Sequence, residues 1–249
     1  MPDATAVVLA AGMGTRMESD LPKVLVSVLG RPMVLYVLDA LAAAGVMRTI
    51  VVVGYRADDV KRTLAGMAGI EFVLQSERLG TGHAVKMAQR LLVGQTGPVA
   101  IVAGDSPMLQ ASSMRKLLDY FEQHQPACLL GTLHKPNPHG LGRIVRNSAG
   151  EFVGIVEEKD ATDAQRRITE VNMSTYVFSG PELLPALDSL KNDNRQREYY
   201  LTDCPGLLKL RGKKVEALPV LQPCEALSIN TVAELQLVEA EMRKLGYSQ

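Results

Sequence analysis

Thr5-Ala6-Val7-Val8-Leu9-Ala10-Ala11-Gly12-Met13-Gly14-Thr15-Arg16-Met17, continued after Glu18-Ser19-Asp20 by Leu21-Pro22-Lys23, joins an apolar run to a loop of small residues with two glycines and two cations. The run reads as a buried strand. The loop presents backbone N–H groups together with the positive charge of Arg16 and Lys23, a combination that binds polyphosphates. Gly12 and Gly14 carry no Cβ, which lets a phosphate approach the backbone. Neither common phosphate motif is present: Met17 stands where a G-x-G-x-x-G fingerprint needs its third glycine, and no G-K-[ST] follows. An NAD-dependent oxidoreductase is disfavoured on that ground.

Outward from this loop, strand-like runs at Thr5–Ala10, Thr49–Val53, Glu71–Leu74 and Pro98–Ala103 alternate with helical spacing over Pro32–Ala44, Ala57–Leu64 and Gly82–Leu92. Such alternation predicts an α/β fold, a doubly wound, mostly parallel Rossmann-like sheet with its ligand crevice at the carboxyl ends of the strands. Both the opening loop and the Ala103-Gly104-Asp105 turn fall at such ends. Beyond a strand-like run at Ala127–Leu133 the character changes. Gly142–Arg146 and Glu151–Glu157 flank the turn Asn147-Ser148-Ala149-Gly150 and predict a hairpin. Ile168–Phe178 reads as a strand, Pro181–Leu190 as a helix, and Thr231–Leu245 as an amphipathic helix with Thr231 as N-cap and Gly246 past its end. The second half is thus a mixed α+β extension of the same sheet. No Pro/Gly/Ser-rich linker intervenes, so one domain is expected over 1–249, in two halves that meet at about residue 125.

The 249 residues balance 27 basic against 27 acidic side chains, which argues against a general nucleic-acid binder. No run of about 18 apolar residues suggests a membrane span, and no secretion signal is visible. The three cysteines, Cys128, Cys204 and Cys224, are widely spaced with no zinc pattern, and read as small buried hydrophobes of a reducing, cytoplasmic compartment. Nothing in the sequence selects an oligomeric state.

Further motifs follow in order: Gln75-Ser76-Glu77-Arg78-Leu79-Gly80-Thr81-Gly82-His83-Ala84, Gly104-Asp105-Ser106-Pro107, Gly142-Arg143-Ile144, Gly154 to Thr162, Glu170-Val171-Asn172, and Asn192-Asp193-Asn194 with Glu198 to Asp203. Together with the opening loop, this series resembles the sugar-nucleotide pyrophosphorylases, which join a sugar 1-phosphate to an NTP. It is most similar to the uridyltransferase domains of bacterial N-acetylglucosamine-1-phosphate uridyltransferases, from about residue 5 to 245. The resemblance implies a Mg²⁺-dependent nucleotidyltransferase whose small-molecule substrates are UTP and a sugar 1-phosphate, with UDP-N-acetylglucosamine the expected product. By the same resemblance, Leu9, Ala10, Ala11, Gly12, Gly14, Thr15, Gln75, Gly80, Thr81 and Gly104 hold the nucleotide, and Arg16 and Lys23 are the catalytic cations. Gly142, Glu157 and Asn172 hold the sugar, while Asp105 and Asn230 bind the metal. Lys159 is a further candidate cation. His83 reads as a capping or packing residue, since the reaction needs no covalent nucleophile or histidine base.

The chain departs from the family in three ways. It shows no hexapeptide β-helix period, so no acetyltransferase activity is expected of these residues. Ala103 stands where an aromatic commonly precedes the Gly-Asp turn, and Asn172-Met173-Ser174 replaces an Asn-Thr-Gly segment. The last two leave phosphate and metal handling intact and bear on which sugar is taken. Two alternatives remain open: a cytidylyltransferase acting on another phosphorylated substrate, and a catalytically silent nucleotide-sugar-binding protein.

Overall fold

The computed structural model describes residues 4–14, 17 and 20–248; Thr15 and Arg16 lie outside the described residues. The expected opening strand is β1 (Thr5–Ala10), followed by a short hairpin of β2 (Ser27–Val28) and β3 (Arg31–Pro32). Next come α1 (Met33–Ala43), β4 (Arg48–Val53), α2 (Ala57–Thr63), β5 (Ile70–Leu74), α3 (Thr81–Met87), α4 (Gln89–Leu92) and β6 (Pro98–Ala103). The second half adds α5 (Ala111–His124), β7 (Cys128–His134), β8 (Gly142–Arg146), β9 (Phe152–Val156) and α6 (Asp163–Arg166). It ends with β10 (Glu170–Ser179), α7 (Gly180–Asp188), α8 (Asp203–Leu210), β11 (Val215–Leu218) and α9 (Val232–Lys244).

One nine-stranded sheet runs through both halves in the order β11-β7-β10-β6-β1-β4-β5, with β8 and β9 attached beside β10. The pairs of β1 with β4 and β6, of β4 with β5, and of β7 with β11 are parallel, whereas β10 runs antiparallel to both of its neighbours. The strand period of two explains why both faces of β1 are apolar. Ala6, Val8 and Ala10 pack with Val37 and Leu41 of α1 and Leu117 and Phe121 of α5. Val7 faces the other way, with Val85 of α3, Leu183 and Leu187 of α7 and Leu208 of α8. Each fully buried Val or Leu contributes about 1.5–3 kcal/mol, so a polar substitution on either face is costly.

Two departures from the sequence pattern have local causes. The helix expected over Gly82–Leu92 is divided at Ala88, where an i→i+3 bond from Ala88 N–H to Val85 O tightens the turn. The strand expected from Ile168 begins at Glu170 and carries a bulge between Asn172 and Thr175. The hairpin turn is as expected, with Asn147 N–H donating to Glu151 O and Gly150 at φ +80°. Thr231 caps α9 by accepting the Glu234 N–H at 3.3 Å. Cys128 and Cys204 are buried as expected, and burial drives the Cys204 thiol up to about 12, whereas Cys224 is only partly buried. Among the described residues no helix is long and apolar enough to cross a membrane.

Candidate active site

The carboxyl ends of β1 and β6 and the segment after β5 open into a crevice of about 310 Å³. Its walls include Leu9, Gly12, Lys23, Gln75, Gly80 and Thr81, together with Ala11 and Asp105. A larger cleft of about 810 Å³ lies between α1 and the start of α5, but holds none of the residues selected by the motifs.

At the phosphate end, Lys23 Nζ donates to Asp105 Oδ2 at 2.5 Å and to Asn230 Oδ1 at 3.0 Å. An ammonium thus sits between the two oxygens expected to hold a metal, although Asn230 is distant from Asp105 in sequence. Local structure fixes each partner. Gly104 N–H donates to Leu9 O at 2.9 Å, tying the turn before Asp105 to the end of β1. Ile229 is fully buried under α9, and Asn230 N–H donates to Glu234 Oε2 at 2.7 Å. Gly14 has φ +70°, and a Cβ there would lie 2.8 Å from Lys23 Cβ, so this glycine lets the loop close onto the lysine stem. Gly12 differs: a Cβ there meets nothing within 4 Å among the described residues, so none of their packing requires it. Ala10 turns its side chain into the core and offers the crevice only backbone. Thr15 and Arg16, assigned to the same loop, lie outside the described residues.

The opposite end is built around Gln75, only 5% exposed. Its Nε2 faces Gly80 O and His83 Nδ1, both at 3.1 Å. Since the amide nitrogen is turned onto those groups, the carbonyl oxygen is the end of Gln75 left without a partner among the described residues. His83 therefore orients Gln75. Gly80 itself has φ +103° and ψ 175°. The Gly80-Thr81 turn is clamped from outside: Tyr199 N–H donates to Leu79 O, Gly82 N–H to Tyr199 O, and Leu201 N–H to Thr81 Oγ1.

The three expected sugar residues also come together. Gly142 and Asn172 are register partners in the β8–β10 pair, and a Cβ on Gly142 would lie 3.6 Å from Glu157 Oε1. Asn172 is 6% exposed. Tyr176 lies wholly buried on the same strand beside Asn172 and Glu157, its phenol pushed well above the ordinary range by burial. Burial also raises the Glu157 carboxyl, as does the Asp160 charge, against a hydrogen bond with Thr202 that lowers it. Asp203, part of which faces solvent, is raised to about 6 by burial and by the negative charges of Glu157, Asp193 and Asp160. Lys159 is turned away onto Gln196 Oε1, so the further cation expected there is engaged elsewhere.

The raised Glu157 carboxyl gives a signed expectation. A folded-state pKa above the unfolded one stabilises the fold at low pH, and that contribution is lost as pH rises through the folded value. Glu157→Gln is therefore expected to raise the melting temperature at about pH 8. The gain should shrink as pH falls through the carboxylate range. Melting curves across pH check this, and a gain that persists in acid contradicts it.

Several residues of the site were not among those assigned to it from the motifs. Arg78, Glu198 and Ser174 line the crevice. Gly54 packs against Ala11, where a Cβ would approach Ala11 Cβ to 2.8 Å. An apolar-flanked glycine at the end of a strand was the available signal for Gly54; Arg78 and Glu198 sit inside recognised motifs and Ser174 at a departure from the family pattern, and tertiary contacts put all three on the crevice wall.

Comparison with known proteins follows the same lines. The profile of the MobA-like NTP transferase domain matches residues 6–203. The chain is 43% identical over 239 residues, 96% of its own length, to the bifunctional protein GlmU of Streptococcus gordonii, and covers 52% of that protein. It is 44% identical over 239 residues to the protein of the same name from Shouchella clausii, again covering 96% of the chain and 52% of the relative. The chain thus spans about half the length of the curated relatives it matches. A solved structure of UDP-glucose pyrophosphorylase complexed with UDP-glucose superposes with a TM-score of 0.76 at 16% identity, over 97% of this chain and 98% of that one, which shows a shared fold.

Proposed function

The chain belongs to the MobA-like NTP transferase domain family, and from that premise we propose that it joins UTP to a sugar 1-phosphate, releasing pyrophosphate and a UDP-sugar. The observation that carries the choice of uridine is the orientation of Gln75. With its nitrogen committed to Gly80 and His83, its oxygen accepts the N3–H of uracil; cytosine presents a lone pair at that atom. The cytidylyltransferase alternative is therefore the less favoured one.

A phosphate oxygen of the sugar 1-phosphate attacks the α-phosphorus of UTP and pyrophosphate leaves in line. Lys23 and the loop amides around Gly12 and Gly14 hold the triphosphate and offset charge that builds on the leaving group, to which Arg16 adds by family likeness. Glu157 and Asn172, beside the Gly142 backbone, hold the sugar, and the 43% identity to proteins named GlmU favours N-acetylglucosamine. Asp105 and Asn230 suit magnesium: both are hard oxygen donors, and they converge on one position already taken by a cationic group. When bound there, the ion supplies charge neutralisation at the α-phosphate. Positioning and electrostatics do most of the work in such transfers.

The test is a pyrophosphate-release panel crossing four NTPs with several hexose 1-phosphates. UTP with N-acetylglucosamine 1-phosphate is expected to lead. UTP should exceed CTP by about tenfold or more in kcat/KM, the scale of one buried polar mismatch, and Gln75→Leu should collapse that ratio. Nucleotide binding without pyrophosphate release would overturn the catalytic reading.

A further inference from the structure

Five non-glycine residues have positive φ among the described residues, and four of them, Leu29, Arg56, Gln125 and Arg197, lie outside strands. Ser174, at φ +53°, lies inside β10 at the bulge, where the register against β7 slips between Asn172 and Thr175. A serine held in the left-handed region carries backbone strain that glycine would avoid, and such strain tends to sit at functional positions. Two further facts give it a role. Its N–H donates to Asn172 Oδ1 at 3.2 Å, holding the amide of a proposed sugar ligand. Its side chain is half-exposed on the wall of the nucleotide crevice, where its hydroxyl makes no hydrogen bond among the described residues. Ala103, at the end of the neighbouring strand β6, lines the same wall and contributes only a methyl group.

We infer that Ser174 is a specificity-determining residue whose hydroxyl recognises a secondary hydroxyl of the bound substrates, from the ribose of the nucleotide or from the pyranose of the sugar phosphate. This rests on the uridyltransfer reading for the identity of the substrates. The bulge serves both pockets at once: its amide orients Asn172 toward the sugar, while its hydroxyl closes the wall beside the small Ala103 side chain.

Binding of UTP and of 2′- and 3′-deoxy-UTP, and of N-acetylglucosamine 1-phosphate and its deoxy analogues in the presence of a non-hydrolysable UTP analogue, is measured for the unaltered protein, Ser174→Ala and Ser174→Gly. Ser174→Ala keeps the strained backbone and removes only the hydroxyl; Ser174→Gly removes both. Both variants should lose about tenfold of the preference for one parent ligand over its deoxy analogue, the scale of one neutral hydrogen bond. A change in the nucleotide arm assigns the ribose, and one in the sugar arm assigns the pyranose. Ser174→Gly should also melt at or above the unaltered protein, which separates lost recognition from damage to the fold. Preferences unchanged in both arms for both variants overturn the inference. Missing pyrophosphate release by the unaltered protein, with the expected loss of preference in both variants, instead overturns the uridyltransfer reading alone.

Discussion

Asp105→Asn is expected to lower turnover at least about 10²-fold, the scale of losing one preorganised transition-state stabiliser. The substitution keeps the shape of the side chain and one oxygen, but removes the charge that faces Lys23 and a bound cation. The fold should tolerate it. Asp105 is at the rim of the crevice with its side chain 29% exposed, and the neighbouring contact from Lys23 to Asn230 survives. A melting temperature close to that of the unaltered protein is therefore expected alongside the lost activity. Asn230→Ala should reproduce the kinetic loss from the other side of the same position. Near-normal rates in purified Asp105→Asn would remove Asp105 and Asn230 from the catalytic account.

Gly80→Ala should have the second large effect, on both stability and nucleotide affinity. At φ +103° and ψ 175° the backbone is in a region open essentially to glycine alone, which costs an L residue about 1–3 kcal/mol. A Cβ there would also lie 2.6 Å from Tyr199 O and 2.9 Å from Glu198 Cβ, so the clamp around Leu79–Leu201 must open or distort. Together these predict a loss of about 3 kcal/mol, or about 6–12 °C in melting temperature for a chain of this size. Nucleotide affinity falls with it, because Gly80 O is one of the two groups that turn the Gln75 amide. Calorimetry with and without UTP checks both parts; a variant that melts normally and binds UTP normally contradicts the geometry.

Most of the sheet was legible because its strands are short apolar runs punctuated by glycine and proline, and because β1, buried on both faces, shows no polar alternation; the four-residue edge strand β11 was not among those runs. The hairpin after β8 was legible through its Asn–Gly turn. Helix α5 carries an equally regular apolar stripe, Met114, Leu117, Leu118 and Phe121, yet lies outside the segments set by the strand–helix alternation. At the site, individual residues could be named from motifs, but their relations could not. The partnership of Lys23 with Asn230 spans 207 residues and is created by packing of α9 over the core beneath it. Likewise, the orientation of Gln75 depends on His83 eight residues further on, and the strain at Ser174 depends on a slipped register that no local pattern announces.

That 207-residue separation also has a consequence for the order in which the machinery is completed. Every residue lining the nucleotide crevice lies at or before Glu198, whereas the second oxygen facing Lys23 arrives only with Asn230. During synthesis the N-terminal parts of a chain emerge and fold first. A nascent chain, or a fragment clipped before Ser228, can therefore carry the entire nucleotide cradle while holding half of the cation site. On the proposed reading, the nucleotide cradle precedes Asn230 in synthesis, and loss of the stretch from Ser228 onward takes away one of the two oxygens that would hold the ion.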